Sequence, residues 1–544
     1  MNLMRFMIIA TAVALLCCLN GAVAQSPQNV DWPMFGQNTA NTASNASETT
    51  ISAKNAKLLR PNWSLTTGGD VTARAAVVNG VAYFPDWAGN LYAVNANNGK
   101  LIWSHQLSDY EWAPGKKLAA GTVSRTSPAV ANGVVYIGTQ WFPSGPTGWL
   151  LAIDAKTGNL KWMVQPDTSN PAPVITGSPA VANDIVYVSM TSNEEFAASV
   201  TGYPCCSASG SVVAVSAATG AKIWQTLTVP KGYSGGAVWG SNPVVDQARE
   251  TVFVGTGNNY SHPTDQTYLD CVNNGGSEAA CLSPNNHADS ILALDMNFGT
   301  IKWATRLMNW DQPYVAGSDD WNTDCIPGFG SGKNCPANTS AEPTGPDFDF
   351  GSAPNEITYQ SPTGPKTIIG AGQKSGIYYA LDPDTGKVLW QTQVGPGSSL
   401  GGIEWGSATD GTRIYVAIAN LYGIPYAAGS HGSWAALDPA TGQILWQKAD
   451  PNGAIDIGPV TVANGVVYAA SMGFSTVPNQ PQPPTMFALD AANGNTLWSF
   501  AAGSSVNAGA TIYNGVVYWG SGYSHLGPLG TGNNKFYAFK TTGS

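Results

Sequence analysis

Seven times along this chain an Ala is followed six residues later by Gly, and four residues after that by Trp. The copies are Ala93-Gly99-Trp103, Ala152-Gly158-Trp162, Ala214-Gly220-Trp224, Ala293-Gly299-Trp303, Ala380-Gly386-Trp390, Ala436-Gly442-Trp446 and Ala488-Gly494-Trp498. Repetition at a fixed internal spacing restricts a chain to repeat architectures. An eighth copy begins at Phe536-Tyr537-Ala538 and stops at Thr542-Gly543-Ser544, before its Trp. Near the other end, Asn62-Trp63-Ser64 is a Trp strand with no first half. Ring closure accounts for both: the N-terminal strand completes the last unit and supplies its Trp.

Each copy reads as a β-hairpin. An apolar strand runs into Asp154, Asp295, Asp382, Asp438 or Asp490, whose carboxylates can hold turn backbone, and Gly takes positive φ at low cost. Upstream hairpins are marked by Asn79-Gly80, Asn132-Gly133, Asn183-Asp184, Asn464-Gly465 and Asn514-Gly515. Each unit thus holds about four short antiparallel strands. The expected fold is all-β: an eight-bladed β-propeller of four-stranded antiparallel sheets, closed by the N-terminal strand, which leaves only short, protected edges. The repeat tryptophans are expected between blades as packing. Only 11% of residues are charged, which excludes a coiled coil, and 19 Trp and 21 Tyr supply ample apolar surface against disorder. A net charge of −10 disfavours nucleic-acid and anionic-membrane partners.

Arg5, the apolar run from Phe6 to Leu19 and the small residues Ala22-Val23-Ala24 have the layout of a secretory signal over residues 1–24. An N-terminal arm over 25–60 and the propeller over 61–544 would follow, with no membrane span after cleavage. A periplasmic or secreted location is therefore expected. Six cysteines remain after the leader, an even number in an exported chain. Local pairing is expected as Cys271–Cys281, Cys325–Cys335 and Cys205–Cys206, one of fifteen connectivities. The Cys205–Cys206 pair would be strained, because neighbouring Cα atoms stand only about 3.8 Å apart. No Cys-x-x-Cys-His is present, and the five His are too dispersed for a transition-metal site. Two insertions, 258–290 and 310–360, carry the other cysteines, and long ordered loops of this kind are usually functional.

The recurring Ala-x-Asp-x-x-Thr-Gly-x-x-x-Trp pattern resembles the repeat of the pyrroloquinoline quinone (PQQ) dehydrogenases, within them most the polyvinyl alcohol dehydrogenases, over nearly all of the chain after the leader. The resemblance implies a cofactor on the propeller axis, with Ca²⁺ bridging it to a Glu and an Asn, and an Asp as base. Glu194, in Thr191-Ser192-Asn193-Glu194-Glu195, fits the calcium carboxylate, with Glu195 as alternate. Asn258, ending Phe253-Val254-Gly255-Thr256-Gly257-Asn258, fits the amide ligand. The base falls nine residues beyond Lys302, at Asp311, which is also placed by the metal; Trp310 precedes it where the family usually has His. The resemblance further implies that Arg125 meets a cofactor carboxylate, Lys374 the quinone oxygens, Thr176 makes a hydroxyl contact, Trp239 stacks on the quinone plane, and Cys205–Cys206 forms a ring against the cofactor.

These residue types are chemically coherent. Cations offset carboxylates, hard oxygens suit Ca²⁺, and a carboxylate can take an alcohol proton. No Rossmann fingerprint in a βαβ context points to NAD. The expected function is a PQQ- and Ca²⁺-dependent alcohol dehydrogenase acting on secondary or polymeric alcohols. Without a haem motif, it would pass electrons to a separate acceptor such as a cytochrome c. The alternatives are a cofactor-free propeller that serves as a binding or assembly scaffold, and a sugar-oxidising quinoprotein.

Overall fold

The computed structural model describes residues 31–140, 147–194, 197, 206–307, 348–398, 400–477 and 480–542. The proposed leader, Glu195, Cys205, Asp311 and the Cys325–Cys335 pair lie outside these residues.

Eight antiparallel sheets form a propeller. The first blade runs Ala76–Val78, Val81–Pro85, Asn90–Asn95 and Leu101–Gln106, in that order from one edge of the sheet to the other. Six further blades repeat this simple meander, and the third gains a short extra strand, Pro173–Val174. The eighth is composite: Thr511–Tyr513, Val516–Ser521 and Lys535–Thr541 are completed by Leu59–Thr66 from the other end of the chain. Trp63 stands opposite Ala538, so the N-terminal strand supplies the Trp that the last repeat lacks. The hairpin tips at Asn79-Gly80, Asn132-Gly133, Asn464-Gly465 and Asn514-Gly515 have positive φ at both residues, as two-residue turns matched to strand twist require.

One contact repeats around the ring. Trp63, Trp103, Trp162, Trp224, Trp303, Trp390, Trp446 and Trp498 each donate Nε1–H to a backbone carbonyl of the next blade, at 3.0–3.1 Å. The Trp498 bond to the Leu59 carbonyl crosses the closure. Each ring therefore buries apolar area between two sheets and satisfies its one polar atom there. The turn glycines fit beneath these rings. Gly220 has φ +73°, and a Cβ on it would stand 2.8 Å from the Trp162 ring. Gly220→Ala is expected to cost about 2–4 kcal/mol in urea unfolding, from left-handed backbone strain plus overpacking. A loss below about 1 kcal/mol would mean that the inter-blade ring yields freely.

The first strands of neighbouring blades touch in ring order and so line the axis. The segment before the propeller crosses one end of this ring. Trp32 pairs with Val77, the Pro33 carbonyl accepts from Val130, Thr39 from Val245, Ala40 from Glu356, Thr42 from Thr409 and Ala43 from Val462. Asn45 Nδ2 then donates to the Ile512 carbonyl. Seven of the eight blades are stitched to one strand of chain, which floors the axial channel. Residues 258–290, read above as a loop, contain the helix Gln266–Asn273, N-capped by Asp265, and the short helix Glu278–Cys281. The expected Cys271–Cys281 disulfide ties them together.

Candidate functional site

In a meandering blade the start of the first strand and the end of the second lie at the same edge. The loops at these positions therefore converge at one mouth of the channel. Arg125, Thr176, Trp239, Asp349 and Glu404 precede first strands, whereas Glu194, Asn258 and Lys374 follow second strands. Residues dispersed through the sequence are thus brought to a single end of the ring.

The centre of the cluster is Asp349, which is 1% exposed. Its Oδ2 accepts from Trp239 Nε1 at 2.5 Å, and its Oδ1 accepts from the Asn258 backbone N–H at 2.7 Å. Lys374 Nζ stands 3.6 Å from Oδ2 and 4.9 Å above the Trp239 ring. The Lys374 N–H also donates to the Asp349 carbonyl. Three of the residues expected from sequence are thus gathered on one carboxylate that sequence reasoning passed over. Thr176 Oγ1 donates to the Trp239 carbonyl at 2.7 Å and fixes the base of that ring. Trp405 meets Trp239 edge-on at 5.2 Å, and the Arg125 guanidinium lies 3.9 Å over the Trp405 face.

Glu194 follows the second strand of the third blade, next to the blade that carries Trp239 and Asn258, and is 3% exposed. Its Oε2 accepts from the backbone N–H groups of Ser207 and Ala208 at 2.7 and 2.6 Å. The same strip of backbone continues to Asn258: Gly235 donates to the Ala208 carbonyl and Gly236 to the Asn258 carbonyl. Glu194 and Asn258 are joined through this strip. Cys206 is disulfide-bonded, and its Sγ lies 3.9 Å from the Glu194 carbonyl oxygen.

Glu404 is a second carboxyl group that the sequence did not mark. It is buried and its Oε1 has no hydrogen-bond partner. Burial pushes it up to about 7, against the pull of Lys374 and Arg125, while Asp349 adds to the rise. An acid whose folded value lies above its unfolded value near 4.5 ionises first in the unfolded chain. Stability therefore falls as pH rises through that window, and the full penalty is present above about 7. Asp456 and Glu356, also raised chiefly by burial, act in the same direction. Denaturant unfolding of the cofactor-free protein between pH 5 and 7 is expected to show this loss. Glu404→Gln should remove about 1–3 kcal/mol of it, whereas an unchanged pH slope would show that Glu404 is ionised in the fold.

Asp349 and Glu404 each precede a blade's first strand and adjoin an aromatic residue, Phe350 and Trp405. This is the position Trp239 occupies, and it is the sequence signal that could have marked them. Asp311, expected from its spacing to Lys302, lies outside the described residues.

An axial ring of eight sheets thus carries aromatic rings, a hydrogen-bonded carboxylate and two cations at its mouth. Residues 60–311 and 373–526 match the family model described as outer membrane protein assembly factor BamB. Polyvinylalcohol dehydrogenase of Sphingopyxis sp. (strain 113P3) is 29% identical over 89% of this chain and 72% of its own length. Quinohemoprotein alcohol dehydrogenase of Comamonas testosteroni is 24% identical over 92% of this chain and 68% of its own length. The crystal structure of the Comamonas testosteroni quinohemoprotein alcohol dehydrogenase superposes with a TM-score of 0.67 at 19% identity, covering 96% of this chain and 82% of that one. The chain belongs to this PQQ-repeat propeller family, within the superfamily of quinoprotein alcohol dehydrogenases. No helix among the described residues is long and apolar enough to cross a membrane.

Proposed function

We propose that this protein is an exported alcohol dehydrogenase that uses PQQ and Ca²⁺, oxidises secondary or polymeric alcohols, and hands electrons to a separate acceptor such as a cytochrome c. The observation that carries the reading is the Asp349 carboxylate, held by Trp239, Asn258 and Lys374 at the mouth of the channel. The residues present suit the implied groups. Two neighbouring flat rings, Trp239 beside the Lys374 ammonium and Trp405 beside the Arg125 guanidinium, match a flat polyanion, and the buried Glu194 carboxylate with the Asn258 amide is a hard-oxygen donor set of the kind Ca²⁺ takes.

Glu194 and Asn258 would hold the ion; Trp239, Lys374, Arg125 and Thr176 would hold the cofactor, with Cys205–Cys206 as the ring expected against it. When bound, the quinone supplies a hydride acceptor and the ion a Lewis acid that polarises its carbonyl. Asp349 takes the alcohol hydroxyl proton on a carboxylate oxygen, in place of the Asp311 expected from spacing. Trp239 Nε1–H and the Asn258 N–H fix the plane of that carboxylate, and Lys374 compensates its charge. The floored channel leaves the opposite mouth as the route for substrate.

Reconstitution with PQQ and Ca²⁺, followed by dye-coupled assay, tests the proposal. Turnover of secondary alcohols and polyvinyl alcohol well above that of aldoses is expected. Turnover of aldoses alone would transfer the site to sugar oxidation. No turnover and no change in quinone absorbance would instead favour the cofactor-free scaffold.

A further inference from the structure

Arg74 is the most deeply buried cation of the described residues, 1% exposed, and it has no acidic partner. Its Nη1 donates to the Phe35 carbonyl at 2.7 Å, and its Nη2 to the Val460 carbonyl and Thr461 Oγ1, both at 2.9 Å. The guanidinium packs on the rings of Phe35 and Trp32 at 4.7 and 5.5 Å. All these partners are neutral, and Nε has none. Burial alone pushes the group down to about 9. A charge held away from water without a counter-ion is costly, and it is retained where an anion completes it.

The cavity beside it indicates where that anion would lie. Arg74 and Arg125 line the same axial cavity, together with Thr176, Ser178, Asn242 and Asn507, and no carboxylate residue lines it. Gly240 and Trp405 form the wall shared with the Trp239–Asp349 cluster. The cavity therefore carries two positive charges and a set of neutral hydrogen-bonding side chains, directly beneath the proposed redox site. Bonding to Phe35, Val460 and Thr461 needs donors but no net charge, so the floor clamp does not by itself explain an arginine.

We propose that Arg74 is a second cationic anchor for the cofactor's carboxylates, forming with Arg125 one anion pocket whose lower end is the channel floor. This rests on the quinone reading above and extends it to a residue that the repeat pattern does not mark. The floor segment then serves binding as well as closure, because the Phe35 carbonyl orients the guanidinium that meets the anion.

Calorimetric titration of the calcium-loaded, cofactor-free protein with PQQ and with its uncharged trimethyl ester tests this. Arg74→Gln is expected to weaken PQQ by about 10–100-fold and the ester by less than about threefold, with a shallower salt dependence for PQQ. Arg74→Lys should recover part of the loss. Equal weakening of both ligands, or none, overturns the assignment. Should the glutamine variant fail to fold, thermal stabilisation of the wild-type protein by pyridine dicarboxylate, and not by the neutral dicarboxamide, takes its place; equal responses overturn the pocket. Wild-type protein that binds the dicarboxylate but not PQQ keeps the anion pocket and removes the quinone reading, and binding of neither removes both.

Discussion

Asp349→Asn is expected to lower kcat of the PQQ- and Ca²⁺-loaded protein by about 10³-fold, within the range of 10²–10⁴ that a positioned general base contributes, while PQQ stays bound. The substitution is close to isosteric. It keeps an oxygen to accept from Trp239 Nε1 or from the Asn258 N–H, but it removes the charge opposite Lys374 and the capacity to take a proton. Binding groups on Lys374, Arg125 and Thr176 are untouched. Steady-state kinetics alongside a quinone absorption spectrum separates chemistry from occupancy. Asp311→Asn is the control: it should retain most of the activity. A fully active Asp349→Asn with an inactive Asp311→Asn would return the base to the position given by spacing.

The second large effect concerns the metal. Glu194→Gln is expected to raise the Ca²⁺ concentration for half-activation by about 100-fold or more, because a hard cation loses its charged ligand and gains only an amide oxygen. The Glu194 carboxylate is already oriented by the Ser207 and Ala208 N–H groups, so its position does not depend on the ion. High calcium should therefore recover much of the activity of the variant. Calcium titration of chelator-stripped protein, followed by dye reduction, checks this. Glu195→Gln, at the alternate position, should shift the curve little; the reverse order would move the ligand by one residue.

The ring was legible because its determinants are local. An Asp that binds turn backbone, a Gly in the left-handed region and a Trp four residues later all act within one hairpin, so their spacing survives every loop insertion. Closure was legible for the same reason, since Trp63 and Ala538 are the two halves of one unit. Asn258, Trp239 and Lys374 could be found because each lies a few residues from a blade strand, where motif and position coincide. Asp349 could not be found by counting, because the stretch before it carries no repeat and its partners Trp239 and Asn258 are about a hundred residues away. Arg74 and the floor were invisible for a related reason. Residues 32–43 pair with six blades through backbone groups, which leave no mark in side-chain pattern. Glu404 shows a further limit: its character comes from burial beside Lys374, Arg125 and Asp349, not from its neighbours in sequence.

Titration of the calcium-loaded, cofactor-free protein with PQQ, followed by heat and quinone absorbance, tests most directly whether one flat redox cofactor sits among Trp239, Asp349, Asn258 and Lys374. Saturation at one PQQ per chain is predicted, with an absorbance change on binding, and with binding greatly weakened in Trp239→Ala. No saturable binding, or binding indifferent to Trp239, would contradict quinone chemistry at this site.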